Sequence, residues 1–277
     1  MPIIGRLAAI YRSRGIDIVT GLNPSHFDNF PLAPFTWFVR DGESLTNGLG
    51  IASQEIYFLE CLFARYRPAR LFAIGNAMGW STLALGLLNP DATVLAIDAG
   101  LDRNALAGID FTNGAAAAEG LRVTVRRGRS PEDVARVLAD EEMAPVDFAF
   151  IDGHHTREQV ALDFAAIRPH AAPNCVYLFH DVTTFALAPA IEQVAAANGL
   201  GWHLLPGTSS GMALAYDPSD CPLDFADIAP FAAAPALLDL VRKAGWSHRH
   251  RHLARWRRSI AKRLGKRRAE AALLPGE

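Results

Sequence analysis

Cysteine is scarce in this chain. Its 277 residues hold three, Cys61, Cys175 and Cys221, and no two form a C-x-x-C pair. That spacing excludes a disulfide framework and a zinc knuckle, and a reducing cytoplasm is the expected compartment. Long apolar runs are also missing: none approaches the roughly 20 residues that cross a bilayer. The apolar start, MPIIGRLAAIYRSRGIDIV, has no true h-region or cleavage site, so it is expected to belong to the mature protein. No G-K-[ST] is present, which excludes a P-loop, and no G-x-G-x-x-G, which excludes the dinucleotide fingerprint. Internal repeats are absent. Neither sign of charge dominates, since the formal net charge is −2.

That small net charge hides an asymmetry. Residues 246–277 carry ten Lys or Arg against Glu270 and Glu277, hence +8, which leaves −10 on the rest. In this tail Leu253, Trp256, Ile260 and Leu264 recur at helical spacing among the basic residues. The pattern predicts a basic amphipathic helix. It would dock on the acidic body or a second subunit of a homodimer, or lie on an anionic membrane surface; nucleic acid is not expected as a partner. At the other end, residues 1–50 are rich in Pro, Gly, Asn and aromatics and read as an irregular cap or lid. Phe35, Trp37 and Phe38 within it would pack that lid on the core or line an acceptor pocket.

Between these ends runs a repeating alternation. After a helix with Ser53 as its expected N-cap and Pro68 beyond its end, ARLFAIG, ATVLAID, LRVTVRRG, VDFAFID and NCVYLFHD read as continuous apolar strands. Helical segments separate them, one with Ser130 as expected N-cap and Pro131 in its first turn. Buried strands alternating with helices predict a parallel sheet covered on both faces. GWHLLPG and SGMALAY then read as an antiparallel hairpin at one edge. The domains expected are a cap at 1–50, an α/β domain at 51–217 and a helical extension with the basic tail at 218–277.

Ligands of open parallel sheets bind beyond the carboxyl ends of the strands. Polar residues gather there: Gly75 and Asn76, Asp98, Gly128 to Ser130, Asp152 to His155, and His180 with Asp181. In the first crossover Gly75 allows a turn to pass close to a ligand, and Gly79 allows close approach where a helix starts. That helix N-terminus offers N–H groups to an anion. An acid ending the second strand, Asp98, can accept from ribose hydroxyls. The competing reading leaves these glycines as tight turns and Asp98 as a loop cap.

IGNAMGWSTLALGLL, Asp98 and DFAFIDGHHTREQVALDFAAIRPHAAPNCVYLFHDV together resemble class I S-adenosylmethionine-dependent methyltransferases. Within that class they are most similar to the macrocin O-methyltransferase-like group, relatives of catechol-type enzymes, over roughly residues 50–217. The resemblance implies a Rossmann-like, doubly wound, mostly parallel seven-stranded sheet with an antiparallel last strand. It implies an O-methyltransferase acting on a hydroxyl of a small molecule, a sugar or secondary metabolite. Gly75, Asn76, Gly79 and Ser81 would hold the methionine end of S-adenosylmethionine, Asp98 its ribose, and Ser130 would lie near the adenine, with Asp152 also at the cofactor. Two positions depart from the pattern. Ala73 stands where the family usually has an acid, and Arg129 where many relatives carry Asp.

The resemblance also bears on IDGHHT. Matching positions hold a divalent metal in these enzymes, which implies Asp152, His180 and Asp181 as ligands, and adjacent strand ends lie about 5 Å apart. Hard oxygen ligands suit Mg; His180 shifts preference toward Mn, Fe or Zn. The alternative has His180 hydrogen-bonded to backbone or cofactor, with the two acids only lining the cleft. His155 matches the histidine of D-G-x-H, a general base in some sugar methyltransferases, and an imidazole suits that role near neutrality; otherwise it caps the next helix. His154 is expected in solvent. The same residues also occur in a cephalosporin hydroxylase-like branch, and a non-catalytic cofactor-binding scaffold is a further alternative.

Overall fold

The structure, a computed structural model, describes residues 2–23, 34–46 and 50–232. The basic tail lies outside the described residues, and with it the expected helix through Leu253, Trp256, Ile260 and Leu264.

The sheet follows the alternation read from the sequence. Strands β4 (Arg70–Ile74), β5 (Thr93–Asp98), β6 (Val123–Arg127), β7 (Val146–Ile151) and β8 (Ala171–Phe179) pair in parallel. β9 (Gly201–Leu205) and β10 (Met212–Tyr216) form the expected hairpin. β10 inserts between β9 and β8 and runs antiparallel to both, which gives seven strands in the order β6-β5-β4-β7-β8-β10-β9. This is the Rossmann-like sheet with a reversed last strand. The order changes direction at β4, so the crevice beyond β4 and β7 is where such a sheet binds ligands.

Burial explains why the strands are apolar without a break. Phe148 and Phe150 join Leu71, Ala73, Val94 and Leu178 on one face. Ala149 and Ile151 join Phe72, Ile74, Leu95 and Phe179 on the other. Successive residues point to opposite faces, and both faces are roofed by helices. The first face packs against α2 (Ser53–Leu62) and α3 (Trp80–Leu88), the second against α5 (Val134–Asp140), α6 (Arg157–Ile167) and α7 (Ala188–Ala197). α4 (Ala105–Ala118) packs beside β6.

The N-terminal segment is more ordered than its composition suggests. α1 (Ile3–Arg12) buries Ile3, Leu7, Ile10 and Tyr11, a helical stripe within the short apolar start. β1 (Asp17–Val19), β2 (Trp37–Arg40) and β3 (Glu43–Ser44) make a separate three-stranded antiparallel sheet. Strands of two to four residues leave almost no alternation to read. Phe38 is fully buried against Tyr11 and Trp80, so it packs the cap on the core.

Two expected caps are corrected. α2 starts at Ser53 itself, with Ala52 in the cap position, and the Ala52 N–H is taken by the Glu55 carboxylate. α5 begins at Val134 after Asp133, not at Ser130. The Ser130 hydroxyl instead donates to Asp163, an acid that the spacing along the chain does not bring near it.

Candidate active site

The turn from β4 into α3 is built around Gly75. Its φ of +96° is open to glycine, and a Cβ there would lie 2.1 Å from the carbonyl oxygen of Asp152 on the next strand. The close approach therefore serves the protein's own backbone as well as any ligand. Gly79, the residue before α3, meets the Thr112 side chain of α4 in the same way. Asp98, ending β5, holds the turn: Oδ2 accepts from the Asn76 and Ala77 N–H groups at 2.9 Å each, and Oδ1 from Gly100 at 2.8 Å. Asn76 is buried, donates to Ala77 and Thr112, and keeps a buried Oδ1 without a hydrogen-bond partner.

Beside this turn five ionisable side chains meet. His180 follows β8 and Asp152 follows β7, both just past the sheet. The His180 ring lies between two carboxylates, with Nε2 3.1 Å from Glu55 Oε2 and Nδ1 2.9 Å from Asp152 Oδ1. The Nδ1 contact is close but not aligned as a hydrogen bond, and Nδ1 has no other partner. Asp181 Oδ2 lies 3.7 Å from Nδ1, and its buried Oδ1 is likewise without a partner. Asp181 sits at φ +57°, a sparsely populated region for a residue with a side chain. His155 reaches back from the loop after β7, its Nε2 3.2 Å from Asp152 Oδ1 and 3.6 Å from Asp181 Oδ2.

Electrostatics follow from this packing. Burial opposes charge on His180, yet Asp152 and Glu55 on either side outweigh it and hold its pKa well above the ordinary imidazole value. Burial works against ionised Asp152 too, but His180 and His155 prevail and hold its carboxyl well below the usual range. For Asp181 burial wins and the carboxyl is pushed up. His155 is pulled down by burial and up more strongly by Asp152, so it ends above its usual value. Phe185 stacks on the His155 ring, centroids 4.8 Å apart, at the mouth of the cleft.

One cleft contains most of the residues singled out in the sequence. Gly75, Asn76, Ser81, Asp98, Asp152, His155, His180 and Asp181 all line it, joined by Phe35, Ile51 and Phe185. Gly79 supports it from beneath through its contact with α4. Ser130 stands outside the lining, hydrogen-bonded to Asp163, whose other donor is Gln159. Ala73 is buried in the core and lends the cleft no polar group. His154 is exposed.

Sequence reasoning missed Glu55. It lies on α2, far along the chain from the strand ends that carry the cluster, and is fully buried. Its four donors are the N–H groups of Ala52 and Ser210, the Ser210 hydroxyl and the His180 ring. The signal was an acid on the apolar stripe of a helix, since Glu55, Phe58, Leu59 and Leu62 share the buried side. Ser210, in the loop before β10, was read only as the start of the edge hairpin segment SGMALAY. Its hydroxyl is 2.5 Å from Glu55 Oε1 and 3.1 Å from His180 Nε2.

Residues 72–182 match the family described as "Methyltransferase domain". No curated protein matches the chain. Among solved structures it is similar to cofactor-bound Rv0187 from MTB, at 17% identity and a TM-score of 0.50, over 78% of this chain and 89% of that one. It is also similar to a Klebsiella pneumoniae protein, itself only assigned as an O-methyltransferase, at 16% identity and a TM-score of 0.50, over 78% of this chain and 90% of that one. At these identities the likeness is one of fold.

Proposed function

We propose that this chain, with a methyltransferase domain matched over residues 72–182 on the class I methyltransferase fold, transfers a methyl group from S-adenosylmethionine to a hydroxyl of a small acceptor, a sugar or secondary metabolite. The observation that carries the reading is the His155–Asp152 pair, 3.2 Å apart, in the same cleft as the Gly75–Asn76 turn and Asp98.

The residues present fit the cofactor. Asn76 Oδ1 is a buried acceptor without a donor in the wall of the cleft. Asp98 Oδ2 is filled by two backbone N–H groups, while Oδ1 accepts one and retains a lone pair for a ribose hydroxyl. Gly75, Asn76 and Ser81 would border the methionine portion. When bound, the cofactor's sulfonium supplies an already activated methyl group, so the protein's task is to deprotonate and align a nucleophile.

His155 is placed for that task. Its Nε2–H points to the Asp152 carboxylate, which fixes the ring, Phe185 stacks against it, and the hydroxyl proton would be taken at Nδ1. A positioned imidazole that takes a hydroxyl proton contributes typically 10²–10⁴-fold. The cluster also fits a divalent cation: His180 Nδ1 and Asp181 Oδ1 are buried polar atoms without hydrogen-bond partners, and one ligand atom from each of Asp152, His155, His180 and Asp181 can be chosen within 4.8 Å of the others. Asp152, His180 and Asp181 would hold it, and it would lower the acceptor hydroxyl's pKa and fix its position.

Calorimetry with S-adenosylmethionine and S-adenosylhomocysteine is the primary test, with micromolar binding expected for both. Incubation with a panel of hydroxylated acceptors should then yield a product heavier by one methylene. A protein that ignores both nucleosides at millimolar concentration does not have this function.

A further inference from the structure

Glu55 has no place in the chemistry described so far, yet it is the most enclosed acid of the site, with both oxygens saturated by four donors. A buried carboxylate is costly unless hydrogen-bonded throughout. This one is, and one of its donors is the ring of His180. Oε1 is occupied by Ser210, through both its N–H and its hydroxyl, and Oε2 by the Ala52 N–H and His180 Nε2.

The consequence for His180 is directional. With Nε2 facing a carboxylate on α2, the other nitrogen is turned the opposite way, into the group formed by Asp152, Asp181 and His155. The side chain is nearly wholly buried, at 5% exposure, and Nδ1 has no aligned hydrogen bond. An orphaned buried nitrogen aimed into an acid cluster is an observation independent of the cluster itself. Asp181 Oδ1, also buried and unpartnered, is a second one. The arrangement reproduces the outer carboxylate that holds a metal-binding histidine by its remote N–H, which sets the ring's orientation and makes the facing nitrogen a better ligand.

We propose that Glu55 is a positioning residue that fixes His180 as a nitrogen ligand, through Nδ1, to a divalent transition cation held with Asp152 and Asp181. The inference rests on the metal part of the reading above and adds to it a selectivity. A site with one imidazole nitrogen among carboxylates favours Mn²⁺, Fe²⁺ or Zn²⁺ over Mg²⁺ and Ca²⁺, which prefer oxygen alone. Ser210 braces the same carboxylate from the loop before β10, so that loop and helix α2 jointly orient the ligand.

The test uses the full-length protein and the bare metals. Calorimetry should show Mn²⁺ binding at least about tenfold tighter than Mg²⁺, a preference that follows from the nitrogen ligand. In Glu55→Gln, Mn²⁺ affinity should fall roughly 10- to 100-fold, the usual loss when an outer partner is removed, while weak Mg²⁺ binding changes little. The electron spin-echo spectrum of bound Mn²⁺ should show a directly coordinated nitrogen, and should keep it in His155→Ala, which leaves His180 as the source. That measurement tests the His180 ligand itself even if Glu55→Gln fails to fold. Absence of Mn²⁺ binding, absence of nitrogen coupling, or unchanged Mn²⁺ affinity in a folded Glu55→Gln protein each overturns the proposal. S-adenosylmethionine binding, measured separately on the same samples, reports on methyl transfer and not on Glu55, so the two readings fail independently.

Discussion

At the scale of single residues, the site is a contest between burial and pairing, and the winner differs from group to group. His155 is the clearest case for a functional test. Replacing it with Ala removes the proposed base but touches neither the Gly75 turn nor Asp98. Turnover on an accepted substrate should drop about 10²- to 10⁴-fold, with S-adenosylmethionine affinity by calorimetry within about twofold of the parent. Full turnover in that variant would remove His155 from the chemistry. Asp163 makes a different point. It is buried behind the cleft, and burial raises its pKa despite donors from Ser130 and Gln159. A raised carboxyl costs stability above its folded pKa, and that cost disappears as pH falls below the unfolded value. Asp163→Asn keeps an acceptor for both donors and removes the charge. It should raise the melting temperature at neutral pH by the equivalent of roughly 1 kcal/mol, with no difference in acid.

At the scale of elements, the decisive unit is strand β4, its turn and helix α3. The alternation of apolar strands and helices made this unit visible, and the glycines marked its turn. What the chain order concealed is that the turn is clamped from two sides. A Cβ on Gly75 would strike the Asp152 backbone of β7 at 2.1 Å, and one on Gly108 of α4 would strike the Ala77 carbonyl oxygen at 1.8 Å. Gly108 is helical, so space and not backbone freedom demands glycine there. Gly108→Ala should push the turn away from α4, cost about 1–3 kcal/mol in urea unfolding as overpacking does, and weaken cofactor binding by at least about tenfold. A variant with native stability and native affinity would show that the turn is not rigidly held by α4. Ser130 is likewise engaged by a neighbouring element: its hydroxyl donates to Asp163 of α6 and not to the start of α5.

At the scale of the described molecule, the seven-stranded sheet carries a core on either face. Phe148 belongs to the face under α2 and α3, Phe72 to the face under α6 and α7, and both are fully buried. The two rings sit on adjacent strands, so neither layer can be lost while the other stays. Phe148→Ala and Phe72→Ala should each lower stability by about 3–5 kcal/mol, and each should shift the same single urea transition without splitting it. Two resolved transitions in either variant would show the layers unfolding separately. The N-terminal helix and small sheet were the least legible part of this body. Their strands are too short for a period to emerge, and α1 shows only one apolar stripe within an ordinary-looking start.

Periodicity and polarity along the chain were enough to determine the strand count of the parallel core, its helical covering, the terminal hairpin and the polar residues waiting at the strand ends. Those features depend on neighbours in sequence, because burial on two faces demands unbroken apolar strands and a ligand crevice demands their polar termini. Which of those residues touch was decided only by tertiary structure. Glu55 meets His180 across 125 positions and Ser210 across 155, and Ser130 meets Asp163 across 33. No local pattern encodes such distances. A buried charge finds its partners only when the sheet closes and water is gone, and there the need to satisfy each polar group selects one arrangement.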